Sequence, residues 1–300
     1  MFRLSTFPSL VRSGAFVVTA EINPPKSADG DVVTRRASAL RGCVDAANVT
    51  DSNRAVAAMS SIPAALLVRD AGVTPIVQMT GRDRNRIALQ GDLLGAAALG
   101  LDTFLCMSGD DPRVGNHPDA VHVKDLDGIG LLKMASGMRD RGVFLSGDAI
   151  TKPPQLFLGG TASPFGEPTS RDVDRTIEKL EAGADFLQTQ PVFDIVTFSA
   201  WLSEVRKRAK DPAILAGVLV LRSADQAKRL AKVPGVTIPD ATVERMRGAR
   251  DAEQEGIAIA VELVQELRAL PGVHGVHIYA IEWPEAVGLV VQRSGLREKS

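Results

Sequence analysis

The sequence predicts an α/β protein built as a single (β/α)8 TIM-type barrel, and three observations carry that expectation. Eight short β-branched or apolar runs alternate along the whole chain with longer segments of helical periodicity. Several helical segments end on a glycine set just before the next apolar run, where a left-handed C-cap is needed. "RDAGVTPIV", "AALGLDTFL", "MRDRGVFL" and "LEAGADFL" place Gly72, Gly100, Gly142 and Gly183 there. Finally, eight such units fill all 300 residues and leave no block for a second domain, which favours a barrel over an open doubly wound sheet.

In chain order the strands are expected at 16–22, 46–49, 75–78, 103–107, 155–159, 186–190, 214–220 and 276–279. Helices are expected near 31–43, 61–71, 84–99, 129–140, 170–182, 196–209, 223–232 and 251–269, with one more after Trp283. The Gly-, Pro- and Asp-rich stretch 109–119 follows the fourth strand and reads as a loop. The expected organisation is one barrel domain over 1–300, with its site at the C-terminal ends of the strands.

Composition narrows the function. Lys plus Arg number 35 against 36 Asp plus Glu, so no broad basic field exists for nucleic acid or anionic lipid. The two cysteines, Cys43 and Cys106, lie far apart and match no metal-ligand spacing or disulfide framework, so a reducing compartment is the default. No apolar run approaches the roughly 20 residues of a membrane span, and 15–20 is too short for a signal peptide core. The expectation is a cytoplasmic protein.

The first polar residues after each apolar run are Glu21, Thr50 with Asp51, Gln78 with Thr80, Ser108 to Asp110, Gly160 with Thr161, Gln190, and Tyr279 with Glu282. They include no histidine or cysteine pair for a metal or a nucleophile, and His117, His122, His274 and His277 read as structural or exposed. Glu21 interrupts an apolar strand closed by two prolines. It is either a solvated strand-end carboxylate or, desolvated at a barrel mouth, a general acid. Gln190 offers one acceptor and two donors suited to a heterocycle edge, or bonds neighbouring backbone. Asp110 binds ring N–H groups or forms an Asx turn. Asp172, Arg175 and Lys179 share one helix face. That face is an ordinary ion-pair surface unless it turns toward the mouth, where the two cations would suit a diphosphate and the carboxylate a ribose hydroxyl. "GRDRNR" at 81–86 reads mostly as surface. No G-x-G-x-x-G follows a strand and no P-loop is present, so a Rossmann nicotinamide site is unsupported.

Five segments together resemble the methylenetetrahydrofolate reductase family: "TAEINPPK" at 19–26, "ANVTD" at 47–51, "GDDP" at 109–112, "EAGADFLQTQPVFD" at 181–194 and "GVHIYAI" at 275–281. Their order and spacing carry the resemblance from about Phe16 to the C-terminal helix. It implies a (β/α)8 barrel that binds FAD at its mouth, oxidises NADH or NADPH, and reduces 5,10-methylenetetrahydrofolate to 5-methyltetrahydrofolate by a ping-pong mechanism. Glu21 occupies the family's general-acid position, and Asp110 that of a carboxylate near flavin and pterin. Gln190 and Tyr279 are the expected substrate contacts beside Asp110, and Thr50, Gln78, Gly109, Asp110, Asp172, Arg175 and Lys179 fall where FAD is held. The chain departs at Gln78, Ser108, Arg175 and Trp283, where family members commonly carry histidine, arginine, asparagine and arginine. A homo-oligomer is the family expectation. Two alternatives stay open: folate reduction by a nicotinamide or deazaflavin without FAD, and a pterin-binding methyl-transfer or non-catalytic folate-binding barrel.

Overall fold

The computed structural model describes residues 6–166, 169–233 and 235–297. Eight parallel strands form the barrel: β1 (Val17–Ile22), β2 (Ala46–Val49), β3 (Pro75–Thr80), β4 (Thr103–Met107), β5 (Phe157–Ala162), β6 (Phe186–Pro191), β7 (Ile214–Leu219) and β8 (Val273–Tyr279). Each pairs with the next, and β8 pairs with β1 to close the sheet.

Around them run α1 (Phe7–Arg12), α2 (Gly30–Leu40), α3 (Ser61–Asp70), α4 (Arg86–Ala98), α5 (Gly128–Asp140), α6 (Thr169–Glu181), α7 (Ile195–Arg208), α8 (Ala224–Leu230), α9 (Asp240–Gly248), α10 (Ala252–Ala269) and α11 (Pro284–Arg293). The helices face the barrel with apolar stripes; on α10, Ile257, Ala260, Val264 and Leu267 are buried at spacings of three and four. The four glycines expected as helix C-caps all adopt positive φ.

Two helices escape the periodicity. Helix α1 is six residues long, too short for a pattern, and is nucleated by Thr6, whose hydroxyl accepts from the Ser9 N–H. Helix α9 occupies part of what the sequence leaves as the connection before α10. Strand β5 runs later than 155–159 because its paired glycines disguise it. At Gly159 a Cβ would lie 2.3 Å from Phe186 Cζ, so only glycine admits that ring to the barrel interior.

Side chains alternate between the interior and the helix layer. The lowest interior layer is apolar, with Val17, Ala46, Ile76, Leu105, Phe157, Phe186 and Leu215 each supplied by a different strand. Phe7 of α1, fully buried, plugs the floor. Its ring meets Phe157 and Phe186 edge-on at centroid distances of 6.0 and 5.4 Å, while those two stack on each other at 5.4 Å. Such pairs add about 0.5–1.5 kcal/mol each beyond simple burial. Among the described residues the barrel is thus closed below by this apolar layer, and its polar interior positions lie toward the mouth.

Candidate active site at the barrel mouth

Counting up from the floor by twos locates the interior side chains. The next layer holds Thr19, Asn48, Gln78, Gln188 and His277, all buried. Two residues higher stand Glu21, Thr50, Gln190 and Tyr279. Four of the expected site residues therefore project into the same mouth from β1, β6 and β8 and from the residue after β2.

Glu21 lies next to Tyr279, as the β1–β8 register Thr19↔His277 and Ala20↔Ile278 continues upward. Burial pushes its carboxyl from 4.5 up to about 7, partly opposed by the Asn23 side chain, which donates to Oε1 at 3.3 Å. Burial and the neighbouring Glu21 also push the Tyr279 phenol well above its ordinary value, so it stays protonated. Its O–H donates to the Thr189 carbonyl at 3.1 Å. The β6–β7 pairing shifts register between Gln188 and Pro191, and this irregularity sets the direction of Gln190, which remains half-buried beside Gly235.

Asn23 joins these residues to a groove of about 680 Å³ lined by Lys26, Arg36, Thr50, Arg54 and Ile281, among others. Its side-chain oxygen accepts from Thr50 Oγ1 at 3.1 Å and from Asn53 at 3.2 Å, and its carbonyl accepts from Arg36, which also pairs with Glu282. Arg54 and Glu282, which line the groove, and Ser52 and Ala55, which flank its lining residues in the chain, all have φ near +50° without being glycine. That conformation costs about 1–2 kcal/mol per residue and marks these loops as held in place by their contacts.

On the β3–β4 side, Gly109 (φ +85°) is required by crowding: a Cβ would lie 2.9 Å from Arg82 Cβ and 3.0 Å from Thr80 Cβ. The turn that follows is made by Asp111, which accepts from the Arg113 N–H at 3.0 Å, and not by Asp110. Asp110 is left exposed at the rim, its charge felt by Arg82. The surface reading of 81–86 holds for Asp83, Asn85 and Arg86, which are exposed, and is corrected at Arg82 and Arg84. Arg82 is only 2% exposed and donates to Asp83 and to the carbonyls of Asp51 and Ser52. Arg84 pairs with the buried Asp51, which also accepts from the Thr80 N–H at 2.9 Å and hydroxyl at 3.0 Å. These arginines brace the ends of β2 and β3 because the fold brings Arg84 the Asp51 carboxylate and Arg82 the Asp51 and Ser52 carbonyls, each about 30 residues away in the chain.

The α6 face turns inward in part. Lys179 donates to the Thr161 carbonyl at the end of β5, and burial together with nearby Arg175 lowers its ammonium to about 8. Arg175 is exposed and makes no side-chain hydrogen bond among the described residues. Asp172 accepts from the Gly166 N–H at 2.5 Å, closing the β5–α6 loop. Gln78 points into the barrel just below the mouth. Among the described residues no cluster of His, Cys, Asp or Glu suits a metal ion, and no helix is long and apolar enough to cross a membrane.

A family model for methylenetetrahydrofolate reductase matches residues 6–295. The chain belongs to this family. Methylenetetrahydrofolate reductase 1 of Schizosaccharomyces pombe is 28% identical over 154 residues, covering 49% of this chain and 25% of that protein. The probable methylenetetrahydrofolate reductase (NADPH) of Caenorhabditis elegans is 25% identical over 249 residues, covering 80% of this chain and 35% of that one. The matched region thus spans between a quarter and about a third of these relatives. Among solved structures, an uncharacterized protein from Clostridium thermocellum that binds two copies of 5-methyl-5,6,7,8-tetrahydrofolic acid shares the fold with a TM-score of 0.69 at 15% identity, covering 96% of this chain and 98% of that one. A 2,3-dimethylmalate lyase shares the barrel at a TM-score of 0.52 and 10% identity, covering 92% of this chain and 81% of that one.

Methylenetetrahydrofolate reductases are typically FAD-dependent, and the residues present fit a dinucleotide at its anionic part. Burial, with the neighbouring Arg175 adding to it, depresses the Lys179 ammonium, and an anionic diphosphate beside the two cations would favour its charged form. Asn23 and the interior polar layer are the features that the strand-end reading misses. Their signal is present in the sequence as polar residues at alternate strand positions: Thr19/Glu21, Asn48/Thr50, Gln188/Gln190 and His277/Tyr279.

Proposed function

We propose that this barrel reduces 5,10-methylenetetrahydrofolate to 5-methyltetrahydrofolate with NADH or NADPH as electron donor. The observation that carries the reading is Glu21: a carboxyl at the mouth of the barrel, walled by Tyr279 and Asn23 and raised by burial to about 7. A carboxyl so placed holds a proton near neutral pH and has somewhere to deliver it. Opening the bridged methylene breaks a carbon–nitrogen bond and needs a proton on the departing folate nitrogen. Glu21 supplies it, and a hydride then completes the methyl group. The balance is one hydride from NAD(P)H and one proton from solvent through Glu21 for each methylene reduced.

Gln190 and Asp110 present amide and carboxylate edges to the pterin from β6 and the β4 loop, with Tyr279 at their side. Thr50, Gln78, Gly109, Asp110, Asp172, Arg175 and Lys179 are the residues that would hold FAD, with Arg175 and Lys179 on its diphosphate. When bound, FAD supplies a hydride relay between nicotinamide and folate. A second reading, hydride transfer without FAD, is favoured by the engagement of Asp172, Lys179 and Ser108 with the protein's own backbone. The Clostridium thermocellum protein binds a methylated folate, which supports a pterin at this mouth in either reading.

The deciding measurement is the visible absorption spectrum of the purified protein before and after anaerobic NADH, with turnover of methylenetetrahydrofolate followed with and without added FAD. A flavin spectrum bleached by NADH supports the first reading, and turnover without flavin the second. A colourless protein that takes up no FAD and reduces no folate overturns both.

A further inference from the structure

Below the mouth lies a belt of side chains that no step of the proposed reaction uses. Barrel interiors are usually filled by branched apolar residues, yet this layer contains Thr19, Asn48, Gln188 and His277, each at most 1% exposed. Asn48 donates to Gln188 Oε1 at 2.6 Å and Gln188 returns a bond to Asn48 Oδ1 at 3.2 Å. Since β2 and β6 stand on opposite sides of the closed sheet, this pair crosses the whole interior. Gln188 also donates to Thr19 Oγ1 at 3.3 Å, and that hydroxyl lies 2.9 Å from His277 Nδ1. His277 Nε2 is buried without a partner among the described residues. A polar network with an unsatisfied member is less stable than an apolar layer of the same shape, so stability does not account for it.

Position does. Each belt residue stands two places before a mouth residue in the chain, and His277 stands below Tyr279. The two rings are perpendicular (89°) with centroids 4.4 Å apart. Tyr279 is pinned above by its bond to the Thr189 carbonyl and lies beside Glu21. We propose that His277 is a positioning residue for the acid: tied to Thr19 through Nδ1, it props the Tyr279 ring against Glu21 and so keeps water from the carboxyl. The proposal rests on the reading of Glu21 as the proton donor.

The titratable groups around Glu21 are few. Tyr279 stays protonated and His277, pushed down to about 3 by burial, stays neutral. The Arg36–Glu282 pair meets the far side of Asn23 through its carbonyl. His277 therefore acts by shape and dipole and not by charge.

The test titrates Glu21 directly, without substrate or cofactor. Protein labelled with carboxyl-13C glutamate is followed by NMR across pH, and the Glu21 resonance is identified by its loss in Glu21→Gln. In wild type it should titrate near 7. His277→Ala, which removes the prop, and Thr19→Val, which cuts the tie, should each move that midpoint down by about one pH unit or more, while His277→Phe, which restores a ring, should bring it back toward wild type. In turnover at pH 7 a one-unit drop appears as about a fivefold loss of kcat with little change in KM. An unchanged Glu21 midpoint in folded His277→Ala and Thr19→Val overturns the proposal and leaves the acid reading intact; if His277→Ala does not fold, Thr19→Val decides. A wild-type midpoint in the ordinary carboxylate range overturns both.

Discussion

Replacing Glu21 by glutamine should make the protein more stable and less active, and the two effects have separate pH signatures. Burial raises the carboxyl from 4.5 to about 7, so the folded chain binds this proton more tightly than the unfolded one. Stability from this group is fully present below pH 4.5 and is lost as pH rises to about 7, above which the folded state carries a desolvated carboxylate. The difference corresponds to about 3 kcal/mol. Glu21→Gln keeps the shape and removes the ionisation. At pH 8 it should exceed wild type by up to about 3 kcal/mol, or about 5 °C in midpoint for a chain of this size, and at pH 4 the two should coincide. Turnover should fall by roughly 10²–10⁴-fold, while wild-type activity should decline as pH rises through 7. Thermal and urea unfolding at the two pH values read the first effect, and single-turnover folate reduction the second. A variant no more stable than wild type at pH 8, or equally shifted at both pH values, refutes the claim that the mouth withholds water from Glu21.

Three further outcomes follow from the packing and the charges. Phe7→Ala empties the floor of the barrel and should lose about 3–5 kcal/mol in urea unfolding, with activity per folded molecule retained. Arg84→Leu strands the buried Asp51 and should lose about 3 kcal/mol, and Arg84→Leu with Asp51→Asn should recover part of it in a double-mutant cycle; additive losses would show that the pair is not coupled. Lys179→Met should weaken FAD binding by about ten- to a hundredfold in a fluorescence titration, and wild-type affinity should fall as pH rises through 8, where Lys179 loses its proton.

The alternation of apolar runs and the glycine caps at 72, 100, 142 and 183 made the barrel legible, because they report backbone needs that tertiary context does not override. The glycines of β5 hid part of a strand because Gly159 serves Phe186 and Gly160 packs on Leu187, both from the next strand and in no local pattern. Glu21, Gln190 and Tyr279 were legible as polar ends of apolar strands. Arg82 and Arg84 were misread because charge alone suggests solvent, whereas the Asp51 and Ser52 carbonyls that take Arg82 and the Asp51 carboxylate that takes Arg84 arrive only through folding. Strain at Ser52, Arg54 and Ala55 had no signal, since none of these residue types announces a positive φ. At Asp110 the turn alternative is excluded by its neighbour, because Asp111 takes the turn.

The plugged floor has a thermodynamic consequence for ligands. With Phe7 closing one end, whatever enters the mouth also displaces the water that still reaches Glu21, and the carboxyl then prefers its proton more strongly than in the empty protein. Ligand association should therefore draw a proton from solution near pH 7. Calorimetric titrations of the same ligand in buffers of different ionisation enthalpy would measure that uptake as a fractional stoichiometry, one that vanishes in Glu21→Gln.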